Sequence, residues 1–217
     1  YLLAMARIMN NILKIAICIV MVGLVSCTKW NYDDGGVSNG VHDCSMWEYL
    51  HTQSRDWDST IVMIERAGLR ELFEGKGEHE QITFLGLTNY SIRTYLLDMG
   101  YKQVNSMYWD ECQAILSKLI ITERVMVADV PRGTWDSQTG EVMGGKEYTL
   151  LDGTTAILWT TQEPYMDMNT SEVGIVRLNF KLEETNVSRA LIFSSDIQTN
   201  NGVVQALGYD FNVSDIY

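Results

Sequence analysis

Titratable side chains are plentiful in this chain, but few stand at a spacing that chemistry would need. The 28 Asp and Glu residues contain many pairs that could serve as acid and base. Such a pair is defined by its separation in space, and none sits in a recognisable sequence context. His42, His51 and His79 are isolated and no Cys-x-x-Cys occurs, so no metal-ligand spacing is present. Asp56-Trp57-Asp58 opens like a calcium loop but lacks the glycine at position six and the glutamate at position twelve. Asp58 reads instead as a helix cap. Gly144-Gly145-Lys146 is too short to cradle phosphate and reads as a hairpin turn. No His-Glu-x-x-His, phosphate loop or dinucleotide fingerprint occurs. The expectation is a chain that is not an enzyme, with no catalytic residue, cofactor or metal. Six Trp and eleven Tyr supply rings able to stack on sugar faces. Trp135, in the polar stretch from Gly133 to Gly145, is the candidate ligand contact; Trp47, Trp57, Trp109 and Trp159 read as core or half-buried.

The elements that would position these residues belong to an ordinary globular composition. The chain has 217 residues, 46% apolar and 20% charged, with a net charge of −12. An acidic chain without clustered Lys and Arg is a poor nucleic-acid partner, so none is expected. Residues 1–26 contain no acid and only Arg7 and Lys14, followed by an uncharged run from Ile15 to Val25. As a helix that run is about 16 Å long, against roughly 30 Å of hydrocarbon, so it reads as a secretory signal and not as a span. The reading frame is expected to start at Met5 or Met9. Residues 27–45 are rich in Gly, Asn, Asp and Ser and read as a flexible tether, with Trp30 in it. Residues 46–217 read as one domain without internal repeats.

The signal ends Leu24-Val25-Ser26-Cys27, which resembles the bacterial lipobox. That resemblance implies cleavage before Cys27, acylation of its thiol and new amino terminus, and anchorage in a membrane through several acyl chains. The other reading is a plain secretory signal. Asp33-Asp34 resemble the export signal of surface lipoproteins in Bacteroidetes, or form a solvated tether. Asp58-Ser59-Thr60 resembles the short O-glycosylation pattern of exported proteins in that group. Cys44 and Cys112 remain in a compartment that permits disulfides, either bridged or as two thiols.

Helices are predicted over Met46 to Leu50, from Asp58 or Ser59 to Gly68, over Leu69 to Glu74, from Thr88 or Asn89 to Gly100 and over Glu111 to Ile121. The last two carry apolar residues at i, i+3, i+4 and i+7: Ile92, Tyr95, Leu96 and Met99, then Cys112, Ile115, Leu116, Leu119 and Ile120. Ile82 to Gly86 reads as a strand. After it come Val125-Met126-Val127, Tyr148 to Leu151, Thr155 to Trp159, Val173 to Phe180 and Ala190 to Phe193, with a hairpin turn at Asp152-Gly153. Helices first and strands later predict an α+β fold with a mainly antiparallel sheet.

Two distant segments resemble the signatures of the fasciclin-like domain family. Thr83-Phe84-Leu85-Gly86-Leu87-Thr88-Asn89 matches the first signature at Thr83, Phe84, Thr88 and Asn89. Asp196-Ile197-Gln198-Thr199-Asn200-Asn201-Gly202-Val203-Val204-Gln205 matches the second up to Gln205, which replaces a histidine. The family's central Tyr-His pair has no counterpart near Leu119 to Thr122. The resemblance implies a wedge of β-strands flanked by several short helices, used for adhesion and extracellular binding and not for catalysis. The motif residues Thr83, Phe84, Thr88, Asn89, Asp196, Ile197, Asn201 and Gly202 are read as mainly structural: Asp196 as an Asx-type turn, Asn201-Gly202 as the chain reversal. The function expected is a lipid-anchored module of the outer membrane or cell surface. It would bind a protein or glycan ligand and serve adhesion or glycan and nutrient uptake. The alternatives are a structural lipoprotein bracing other envelope proteins and an anchored hydrolase.

Overall fold

A reciprocal cap at Ser45 starts the first helix. The Ser45 hydroxyl accepts the Glu48 N–H at 3.2 Å, and Glu48 Oε2 accepts the Ser45 N–H at 2.8 Å. Behind it runs α1, Met46–Thr52, which buries Met46, Trp47, Tyr49 and Leu50. The computed structural model describes residues 40–162, 174–183 and 190–217, all within one compact unit. The signal, Cys27 and Trp30 lie outside the described residues, as does Val173. No helix among the described residues is long and apolar enough to cross a membrane.

Helix α2, Ser54–Arg66, starts before the expected cap, so Asp58 sits inside it. Its buried face of Trp57, Ile61 and Ile64 begins one turn earlier than a start at Asp58 allows, and burial sets the boundary. A short α3, Arg70–Phe73, leads to β1, Ile82–Gly86, buried along its whole length. Thr88, in extended conformation, precedes α4, Asn89–Asp98. That helix buries Ser91, Ile92 and Tyr95 but leaves Met99, just past its end, exposed, contrary to the predicted face. Helix α5, Trp109–Ser117, also stops short of expectation. Ile120–Ile121 form β2, paired with β1 through Phe84↔Ile120 and Thr83↔Ile121. The β-branched pair gains a ladder partner there, which outweighs continuation of the helical period. Trp109 is 61% exposed and not part of the core.

Segment Val125–Val127 is not a strand. The chain makes a 3₁₀ turn at Val127–Asp129, because the N–H groups of Val125 and Val127 bond to side chains, Thr83 Oγ1 and Asp196 Oδ1, at 2.8 and 2.9 Å. The expected polar loop is a two-stranded ribbon of β3, Gly133–Trp135, and β4, Val142–Gly144. Then follow β5, Lys146–Thr149; β6, Thr155–Gln162; β7, Val176–Leu182; β8, Ala190–Thr199; and β9, Gly202–Leu207. The β5–β6 turn has Gly153 at φ +82°, with Asp152 Oδ1 accepting the Thr154 N–H.

The large sheet runs β2-β1-β9-β8-β7-β6-β5. All neighbours are antiparallel except β1 and β9, paired in parallel from Ile82↔Gly202 to Gly86↔Ala206. A bridge from Ile121 to Leu150 and the Leu151 N–H to Ile120 carbonyl bond tie the β2 end back to the β5 end. The architecture is α+β, a mostly antiparallel sheet with several short helices.

Strand β8 is shared unevenly. It meets β7 only at Asn179↔Leu191 and Phe180↔Ala190, then continues against β9. Part of its vacated side is taken by residues 40–42, through the Gln198 N–H to Gly40 carbonyl bond and the His42 N–H to Gln198 carbonyl bond. This corrects the tether boundary: residues 40–45 are hydrogen-bonded into the domain. Cys44 is half-buried, Cys112 is buried, and both are free thiols.

Candidate functional site

Four of the residues singled out by the two signatures, Thr83, Asn89, Asp196 and Asn201, are cross-links between distant segments. Thr83 Oγ1 donates to the Glu123 carbonyl at 2.8 Å and accepts the Val125 N–H at 2.8 Å. Phe84 is fully buried, edge-to-face with Phe73 at 5.0 Å. Thr88 is buried at the start of α4, 3.5 Å from the Ser91 hydroxyl. Asn89 reaches α2, accepting the Ser59 N–H at 2.7 Å and donating to the Arg55 carbonyl at 2.8 Å. Those two groups are one rung of the α2 ladder, so one amide ties α4 to α2. Ser59 is half-buried there and Thr60 is buried, its hydroxyl bonded to the Leu87 carbonyl.

Two successive bulges shape the second signature. Between Ile192↔Leu207 and Ser194↔Ala206, β8 has one extra residue, Phe193; between Ser194↔Ala206 and Ile197↔Val204 it has a second extra residue. Asp196, in that second bulge, adopts φ +58°, a conformation Asp tolerates better than most residues. It makes no Asx-type turn. Its carboxylate accepts the Val127 N–H and the Gln205 Nε2–H, both at 2.9 Å, and its own N–H donates to Gln205 Oε1 at 2.9 Å. Gln205, fully buried, also donates to the Val125 carbonyl at 3.1 Å. Ile197 is half-buried against the core.

The reversal is made by Asn200-Asn201, between the paired Thr199 and Gly202. Neither Asn is at positive φ. Asn201 is buried: its Oδ1 accepts the Met46 N–H at 2.7 Å, and its Nδ2 donates to the Leu72 and Phe73 carbonyls at 3.3 and 3.1 Å. Gly202, at φ +153°, packs on β1 so closely that a Cβ would stand 2.0 Å from the Ile82 carbonyl oxygen.

A cleft of about 290 Å³ opens where these cross-links meet the surface. Its walls are the α1–α2 junction, with Tyr49, Gln53, Asp56 and Trp57, and the first bulge, with Phe193, Ser194 and Tyr209. Thr88 and Ile197 contribute to it. Burial, followed by the Asp56 charge, pushes the Tyr49 hydroxyl above its usual pKa. Phe193 and Tyr209 are 58% and 60% exposed, and Tyr90 meets Tyr209 edge-to-face at 6.2 Å. Trp135 does not line the cleft; it sits half-buried in β3. None of Tyr49, Gln53, Phe193 and Tyr209 was indicated by the sequence, and no local motif marks them.

Neither a protein-family profile nor any curated protein sequence matches the chain. A solved FAS1 domain pair from the insect cell adhesion molecule fasciclin I superposes with a TM-score of 0.53 at 10% identity, over 80% of this chain and 53% of that one. The chain has a fasciclin-like fold. It spans about half the length of that pair.

Other clusters in the domain are less suited to chemistry. Glu111 is buried and accepts the Tyr95 and Tyr101 hydroxyls at 2.6 and 2.8 Å. Its hydrogen bond, then burial, pushes Tyr101 up to about 12; burial, then the same carboxylate, raises Tyr95 further. Both tyrosines stay neutral donors at physiological pH. Among the described residues, no three His, Cys, Asp or Glu side chains gather to hold a metal. Gly36-Val37-Ser38-Asn39-Gly40 has the spelling of a hydrolase nucleophile turn, and of it only Gly40 lies within the described residues. Such a turn needs a helix directly after it; Val41 bridges to β8 and α1 begins at Met46.

Proposed function

We propose that the chain is a non-catalytic binding and adhesion module, held at the outer membrane or cell surface by lipid on Cys27, and that the cleft beside Phe193 is its ligand surface. The observation that carries this reading is the cleft itself. Exposed large rings gathered at a concave site, beside side chains with free hydrogen-bonding capacity, are the usual makings of a recognition surface. Two further facts support it. The superposing FAS1 pair comes from a cell adhesion molecule, and the motif residues Thr83, Asn89, Asp196 and Asn201 are engaged in cross-links that leave them little chemistry of their own. The partner is a surface protein or a glycan, and the module serves adhesion or nutrient uptake.

Two measurements test the reading. Cells fed a palmitate analogue label the wild-type chain and not the Cys27→Ala variant; label that survives the substitution refutes the anchor. Full-length protein captures envelope proteins or surface glycans from cells, and a Phe193→Ser/Tyr209→Ser variant captures less. Equal capture by that variant, folded by circular dichroism, refutes the cleft as the ligand surface.

A further inference from the structure

The cleft contains a ring that the fold does not require. Phe193 is the residue inserted by the first bulge, so the β8–β9 ladder would close without it. Its ring packs against Gly208, where a Cβ would stand 2.4 Å from ring carbon Cε2 and 2.6 Å from Cδ2, and equally 2.4 Å from Asp210 Oδ1. The residue remains 58% exposed. Trp57 is seated in the same manner on Gly86, where a Cβ would meet its ring at 2.7 Å. Glycine in both places lets a ring approach the backbone closely, which restricts its orientation before any ligand arrives.

The polar lining is free for use. Among the hydrogen bonds of the described residues, none involves the side chains of Gln53, Asp56 or Ser194, so an amide, a carboxylate and a hydroxyl keep their donors and acceptors for a ligand. Among the described residues Asp56 is the only charged one of the lining, and the chain carries −12 overall. An anionic ligand is therefore disfavoured. A ligand with one flat apolar face and a rim of hydroxyl groups satisfies both halves of the site. A pyranose ring has that chemistry, and about 290 Å³ lies near the small end of ligand sites.

We propose that the cleft binds a neutral saccharide, with a sugar ring stacked on Phe193 and hydroxyls bonded to Asp56, Gln53 and Ser194, and that Gly208 is the positioning residue for the stacking ring. This rests on the cleft being the ligand surface. The test applies full-length detergent-solubilised protein to an array of neutral hexose oligosaccharides and their uronate-containing counterparts, followed by calorimetry with the tightest neutral binder. The expected result is retention of neutral glycans. Phe193→Ala and Asp56→Asn each weaken binding about tenfold, the equivalent of about 1.4 kcal/mol. Phe193→Trp retains binding. Gly208→Ala weakens binding with Phe193 intact, because the added methyl would displace the ring and the Asp210 carboxylate that both press on this position.

An array that retains no glycan overturns the proposal, as does a preference for the uronate series. So does unchanged affinity in Phe193→Ala and Asp56→Asn variants that melt cooperatively. A blank array combined with loss of envelope-protein capture by Phe193→Ser/Tyr209→Ser removes the saccharide and leaves the cleft as a protein-binding surface.

Discussion

Replacing Asn201 by alanine should be among the most destabilising small changes in the domain. The amide is buried and holds together three segments: the start of α1 through Met46, the end of α3 through Leu72 and Phe73, and the β8–β9 turn. The Leu72 carbonyl also accepts the Gly75 N–H at 3.1 Å, so it keeps a partner when the amide is gone. Met46 is fully buried, and its N–H is one of the first-turn donors of α1, which have no partner within the helix. A buried donor stripped of its acceptor costs about 1–3 kcal/mol, and each further lost bond about 1 kcal/mol. Together these give about 3 kcal/mol, a large share of the roughly 5–15 kcal/mol that holds a typical domain. Urea unfolding of the full-length protein is the assay. With a slope of about 2 kcal/mol per molar urea, the midpoint falls by about 1.5 M at unchanged slope. A fall below about 0.5 M would refute the assignment of Asn201 as a buried cross-link, because water would then be replacing it at little penalty.

Gly202→Val places a branched side chain where even a Cβ stands 2.0 Å from the Ile82 carbonyl oxygen, so the parallel β1–β9 pairing must open; cooperative melting near the wild-type temperature would contradict that contact. Asn89→Ala removes the tie between α4 and the Arg55–Ser59 rung of α2 and should cost about 1–2 kcal/mol in the same urea assay, with a loss under 0.5 kcal/mol counting against it. Burial pushes the Cys112 thiol up to about 11. Its folded pKa lies above its unfolded one, so its contribution to stability is complete below about pH 9 and disappears as pH rises towards 11. Wild type should therefore lose more stability than Cys112→Ala between pH 9 and 11. Peptide mapping after iodoacetamide at pH 8 should find Cys44 modified and Cys112 protected until urea unfolds the chain.

Much of the framework could be read from local pattern, and its limits have physical causes. Ile82–Gly86 was legible as a strand because a buried apolar run sits between polar segments, and the structure gives it those bounds. The two bulges in β8 were not legible. Each shifts the alternation of inward and outward residues by one position, so Ala190 to Phe193 looked like the whole strand while the ladder continues to Thr199. Ile120 and Ile121 continue the period of α5 in sequence but lie beside β1 in space, and periodicity carries no information about a strand partner 36 residues earlier, as in Phe84↔Ile120. Asp196 was read as bonding locally; its partners are Val127 and Gln205. The cleft was hidden for a related reason. Tyr49, Asp56 and Phe193 become neighbours only when β9, lying between β1 and β8, sets the first bulge against the α1–α2 corner. Trp135 drew attention because it sits among polar residues, yet those residues pair as a ribbon and half-bury it.

The inserted position of Phe193 has a consequence for how such a surface can diversify. A side chain at an ordinary ladder position is bound to its cross-strand neighbours, and changing it disturbs the sheet. A side chain on a surplus residue has no such obligation, since Ile192 and Ser194 already meet Leu207 and Ala206. Under the proposed reading, exchange of the aromatic at 193 alters what the cleft recognises while the strands beneath keep their alignment. Recognition, so proposed, and architecture then fall to different residues of one strand, and the first can drift without dragging the second along.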